Sequence, residues 1–176
     1  SAINLGISIV MGNHEAVQDR ATSWSLGLKG WILWAALAGL SVEQQRRVGK
    51  RFLDNISELS DNPKLDKSLA LLEQTQVSDQ DIADAFRVAS TAARDSYTLC
   101  GREADWRRQA SHFFAAAATA CLGATDKEGQ DQELAWTTAM NARMARVCEK
   151  IAQGEGYDNS EVGEQYKILT DFLAGS

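Results

Sequence analysis

The stretch WRRQASHFFAAAATACLG, Trp106 to Gly123, decides the fold. Placed at 100° per residue, Trp106, Ala110, Phe113, Phe114, Ala117 and Cys121 fall within an arc of roughly 100°, the width of a core-facing helical stripe. Ala115, Ala116 and Ala118 lie off that stripe, so a second side of the helix is smooth enough for another helix to approach closely. The spacing predicts a helix at the centre of an all-α bundle or in a homodimer interface.

Working outward, the chain of 176 residues holds a single proline, and most of its glycines fall between apolar-periodic segments, which is how a helical bundle is punctuated. Asn13 is placed to cap a helix through HEAVQDRATSWSLGLKGWILWAALAGL, with Gly27 and Gly30 expected to bend or split it. Ser41 and Gln44 form a capping box for a helix with Val48, Phe52, Ile56 and Leu59 on one face, ending by Ser60. Asp61 or Asn62 caps the next, with Pro63 in its first turn and Leu65, Leu69 and Leu72 as a short stripe. Ser78 and Asp81 open another helix through Ile82, Phe86, Ala89 and Ala93 to about Cys100, where Gly101 supplies a stop.

Beyond Gly123 a polar connector leads to a helix from about Gln132 to Gln153, with Leu134, Trp136, Met140, Met144, Val147 and Ile151 as its apolar positions. Asn159 or Ser160 caps a last helix in which Val162, Tyr166, Leu169 and Leu173 share a face. No strand pair, internal repeat or long linker is apparent. The reading is a single-domain helical bundle of about seven helices over residues 1–176, with residues 1–12 either an extended arm or a tag remnant.

A net charge of -6 argues against sequence-independent nucleic-acid binding, which needs a basic surface to neutralise phosphates. An acidic surface favours partners that are themselves basic. The most apolar run, Trp31 to Leu40, is about half of what crosses a bilayer, so it predicts a core or interfacial helix and no membrane span. The opening residues lack the basic start of a secretory signal. Cys100, Cys121 and Cys148 are odd in number and set in apolar helical surroundings, which suits buried thiols in a reducing compartment; the expected location is cytoplasmic.

Within the opening stretch, Arg107 and His112 project about 140° apart, Arg107 beside the edge of the core stripe and His112 near Asp105 and Arg108. The pattern Arg107-x4-His112, at the start of a helix, resembles the short signature of the HEPN ribonuclease family. Those proteins are all-helical, and an Arg and a His from each of two protomers face a shared cleft. The resemblance implies a proton-transfer role for His112 and a phosphate-holding role for Arg107. The position after the Arg, commonly polar in that family, is Arg108 here. A composition like this one yields about 0.4 such matches by accident. The competing reading, which the sequence favours, makes Asp105, Arg108 and His112 a solvated polar stripe.

Other side-chain groups are read the same way. Trp24, Trp31 and Trp34 stand among Gly27, Leu28 and Gly30 as large rings beside small residues, suited to a core wedge or to an exposed anchor for a partner. Asp79, Asp81 and Asp84 fit the first turn of a helix, where carboxylates stabilise the N-terminus, and they also offer a site to a basic partner. The basic group Arg46 to Arg51 has Glu43 and Asp54 nearby and reads as a balanced solvated face. His14–Glu15 lacks the second His of a zincin helix, and no His, Cys and carboxylate set has metal-ligand spacing, so neither metal nor cofactor is expected.

Three functions remain. The first is a small acidic protein that binds another protein with a basic surface, an inhibitor or adaptor of the immunity or anti-defence kind. The second is a ribonuclease using Arg107 and His112. The third is a structural subunit that self-assembles through its Ala- and Trp-rich faces.

Overall fold

Ser41 closes the capping box expected of it: its Oγ accepts from the Gln44 backbone N–H at 3.2 Å, and Gln44 Oε1 accepts from the Ser41 N–H at 3.0 Å. This junction joins the first two of seven α-helices in a computed structural model that describes residues 27–99, 105–123, 133–157 and 160–175. They are α1 (27–38), α2 (Val42–Asp54), α3 (Pro63–Leu69), α4 (Asp79–Leu99), α5 (Trp106–Cys121), α6 (Leu134–Ala152) and α7 (Ser160–Ala174). Short 3₁₀ turns, Ser57–Leu59 and Ala70–Glu73, follow α2 and α3, and the described residues contain no strand. The fold is an all-α helical bundle.

The caps follow from the sequence. Asn62, rather than Asp61, caps α3 through its Oδ1, with Pro63 at the first helical position where a missing N–H costs nothing. Ser78 Oγ accepts from the Asp81 N–H at 3.1 Å at the start of α4. Asp105 caps α5, accepting from the Arg107 and Arg108 N–H groups. Residues 1–26, with Asn13 and the proposed arm, lie outside the described residues, as do Cys100, Gly101 and Asn159. The break expected at Gly27 and Gly30 is absent at Gly30, which α1 passes without interruption. A Cβ at Gly30 would stand 3.8 Å from Arg143 Nη1, so the small residue lies where an α6 guanidinium comes up against α1.

Helix α5 is central, packing on α6 most extensively and also on α4 and α2. Its buried residues are Ala110, Phe114, Ala115, Ala117, Ala118 and Cys121. Trp106, expected in the core stripe, is instead 40% exposed.

Helix α6 departs further from its reading. Leu134 and Val147 are buried, but Met140 and Met144 are exposed and Trp136 is only partly covered. The face turned inward is Ala135, Thr138, Ala139, Ala142, Ala145 and Cys148. Small side chains let two helix axes approach closely, and that close packing displaces the bulky residues to the outside.

Two apolar clusters result. One gathers Leu53, Ile56, Leu65, Leu69, Ala89 and Phe114 around α3, α4 and α5; the other gathers Leu33, Leu37, Val48, Phe52, Leu169 and Phe172 around α1, α2 and α7. Buried amides tie the second together. Gln45 donates to the Leu40 carbonyl and accepts from the Ala135 N–H, serving the end of α1 and the start of α6 at once. Gln165 donates to the Ala139 carbonyl at 2.9 Å.

Candidate functional site

Helix α1 is apolar on both of its sides. Leu33 and Leu37 are buried against α2, α6 and α7, while Leu28, Trp31, Ile32 and Ala35, spaced i, i+3, i+4, i+7, face outward. Trp31 is 65% exposed and Trp34, on the flank of the same surface, 38%. Residues 30–40 carry no charged side chain. The core-wedge reading of these rings does not hold for Trp31 and Trp34; Trp24 lies outside the described residues. The signal was present in the sequence as a helix with no polar face, a pattern expected only of a helix covered all round.

Arg143 of α6 comes up against α1 at Gly30, on the side of the helix away from Leu28, Ile32 and Ala35. Beyond Gly30, the Arg143 guanidinium lies 5.2 Å from the Trp136 ring centroid, its Nε donates to Gln165 Oε1 at 2.8 Å, and its Nη1 reaches Met140 Sδ at 3.5 Å. Its Nη2 is buried without a hydrogen-bond partner. Burial lowers the Arg143 pKa, and the charges of Glu161 and Tyr157 oppose that shift. Met140 and Met144 are both exposed on α6. On the other flank Lys29 leans over the Tyr166 ring of α7 at 5.8 Å. Sequence reasoning missed Met140, Met144 and Arg143 as surface features because it assigned the bulky side of α6 to the core.

The structure places Arg107 and His112 on different sides of α5. His112 is partly buried against α4, its Nδ1 3.0 Å from the Ala93 carbonyl and 2.9 Å from Ser96 Oγ. A carbonyl only accepts, so Nδ1 carries the proton, while the Ser96 hydroxyl donates to the same carbonyl at 2.9 Å. The ring also packs near Tyr97 and Phe113, at 5.6 and 5.4 Å between centroids. His112 is therefore held by α4 rather than standing in a solvated stripe, whereas Asp105 and Arg108 do form an exposed ion pair at 3.4 Å.

Arg107 lines a cleft of about 240 Å³ with Glu58, Asp61, Ser111 and Glu149. Three carboxylates line the same cleft, and Glu58 and Glu149 are already engaged by Arg146. The volume is below that of ordinary small-molecule sites, roughly 300–1,000 Å³. Among the described residues, the cleft that Arg107 lines does not include His112.

Asp79, Asp81 and Asp84 are exposed at the start of α4, where Asp84 accepts from Gln80 and pairs with Arg87 at 2.7 Å. The basic group on α2 is not uniformly solvated: Arg46 donates to the Gly123 carbonyl at 3.0 Å, and Arg51 leans over Phe172. Cys121 and Cys148 are buried, and burial pushes the Cys121 thiol up to about 12. Among the described residues, no three His, Cys, Asp or Glu side chains are grouped to hold a metal ion, and no helix is long and apolar enough to cross a membrane. No protein family, curated protein or solved structure matches the chain.

Proposed function

We propose that this protein acts by binding another protein, as an acidic inhibitor or adaptor, and that the outer side of α1 is its docking surface. The observation that carries this reading is the exposure of Leu28, Trp31, Ile32 and Trp34 on a helix whose other side is already buried. Leaving such a surface in water forgoes about 25 cal/mol for every Å² of apolar area, so a chain with no use for it would place polar residues there. Trp at the centre of an apolar patch is the residue type most enriched among binding hot spots. The net charge of -6 favours a partner with a basic surface around the contact.

Affinity capture on the immobilised chain tests this. The expected result is one basic partner whose association weakens as salt rises and is lost in Trp31→Asp, with the fold unchanged by circular dichroism. Capture that is indifferent both to salt and to Trp31→Asp would overturn the reading.

A further inference from the structure

We infer that, in the absence of that partner, the outer side of α1 is covered by the α1 of a second copy of this chain, the two helices crossing antiparallel. The inference rests on the reading of α1 as a docking surface and names an occupant for it.

Self-complementarity is the first argument. The bulky residues of the outer side, Leu28, Trp31 and Ile32, occupy its N-terminal half, and the small ones, Ala35, Ala38 and Gly39, its C-terminal half. A two-fold axis midway between Ile32 and Ala35 sets Ile32 of each copy opposite Ala35 of the other, and Leu28 opposite Gly39. Trp31 then lies over the small end of the facing helix. A parallel pairing would oppose Trp31 to Trp31 as well as Trp34 to Trp34 and leave a gap where small residues meet, whereas the antiparallel one brings only the two Trp34 rings together, near the axis. An isologous contact requires one patch to fit itself, and this one does so better in the antiparallel sense.

Charge is the second argument. Two chains of net charge -6 repel, so a contact between copies must form where charge is lacking. Residues 30–40 supply that place, and Lys29 is turned aside onto Tyr166. The same net charge works against an anionic lipid surface as occupant.

Area is the third. The exposed parts of Leu28, Trp31, Ile32, Trp34, Ala35, Ala38 and Gly39 amount to roughly 500 Å² per copy, so the pair buries at most about 1,000 Å², the size of a weak, transient interface rather than a stable one. Association at micromolar rather than nanomolar concentration follows.

Sedimentation of the full chain between about 1 and 200 µM tests the inference. The expected result is a monomer–dimer equilibrium that tightens as sodium chloride is added, because salt screens repulsion between like-charged copies; binding of a basic partner moves the opposite way. Trp31→Glu should weaken the dimer at least 50-fold while leaving the thermal transition in place. Mixing Ile32→Cys with Ala35→Cys should give the mixed disulfide in preference to either symmetric one. A monomer at every concentration would overturn the inference while leaving capture of a basic partner intact. A dimer insensitive to Trp31→Glu, or cross-linking of the Ile32→Cys variant only to itself, would overturn it too, as would a monomer that sediments with phosphatidylcholine vesicles through Trp31.

Discussion

The closest helix crossing in the bundle makes the sharpest test of the fold. A Cβ added at Gly49 of α2 would stand 2.9 Å from Cys121 Sγ on α5 and 3.6 Å from the methyl and hydroxyl of Thr138 on α6. Neither neighbour is free to move. The Cys121 thiol is 1% exposed and donates to the Arg46 carbonyl at 3.4 Å, and the Thr138 hydroxyl donates to the Leu134 carbonyl at 2.8 Å. Replacing Gly by Ala inside a helix gains up to about 1 kcal/mol from propensity, but overpacking a core costs about 1–3 kcal/mol. Gly49→Ala should therefore destabilise by about 1–2 kcal/mol, a fall of roughly 2–8 °C in Tm for a chain of this size. Gly163, in the first turn of α7 with nothing within 4 Å of its Cβ position, supplies the control: Gly163→Ala should stabilise by about 0.5 kcal/mol. Urea denaturation followed by circular dichroism measures both. Cys121→Ala should remove most of the cost of Gly49→Ala in a double-mutant cycle. If Gly49→Ala proves as stabilising as Gly163→Ala, helices α2, α5 and α6 do not meet as described.

Further outcomes follow from the same contacts. Arg146 is held by Glu58, Glu149 and the nearly buried Glu161, whose carboxylate also accepts from Asn55. Arg146→Met should cost about 3–5 kcal/mol in urea titrations at pH 7 by leaving Glu161 unpaired, and a loss under 1 kcal/mol would refute the pairing. Burial raises the Glu161 pKa from its ordinary 4.5, against the opposing pull of Asn55 and Arg146. Between 4.5 and the raised value the folded state binds more protons than the unfolded one, so this group's contribution to stability falls as pH rises through that window and is lowest above it. Glu161→Gln should remove that slope from stability measured between about pH 4.5 and 7. With Cys100→Ser, thiol labelling at about pH 8 should detect no reactive cysteine until the chain unfolds, since burial holds Cys121 up to about 12 and Cys148 is 2% exposed; rapid labelling of the native chain would contradict both placements. The purified chain is expected to leave RNA intact, and His112→Ala to lower Tm through loss of its contacts with Ala93 and Tyr97. RNA cleavage that His112→Ala abolishes at unchanged Tm would favour the nuclease reading instead.

The helix starts were legible because a cap is a local matter. Ser41 with Gln44, Asn62 with Pro63, and Ser78 with Asp81 each satisfy backbone groups within a few residues, and those contacts are present. Which side of α6 turns inward was not legible, since periodicity ranks faces by bulk. Met140, Met144 and Ile151 outrank Ala135, Ala139 and Ala142 on any such scale, yet the alanines are fully buried. Close approach to Gly49 and to the alanine side of α5 decides the matter, and those partners are distant in sequence. The divergence of Arg107 from His112 was legible from helical geometry alone. That His112 packs on Ala93 and Ser96 was not, because it depends on how α4 and α5 pair.

The two kinds of surface on this molecule constrain its function differently. Asp79, Asp81 and Asp84 stabilise the start of α4 whether or not anything binds them, so their exposure needs no further cause. Among the described residues, the outer side of α1 has no comparable internal role. Leu33 and Leu37 already anchor the helix, and polar residues at positions 28, 31, 32 and 35 would keep that anchoring while improving solubility. Leu, Trp, Ile and Ala at those positions therefore reflect something outside the bundle as described. A substitution that alters only this side, Trp31→Glu, consequently separates function from stability more cleanly than any change at Arg107 or His112, where the fold itself uses the side chain or its neighbours.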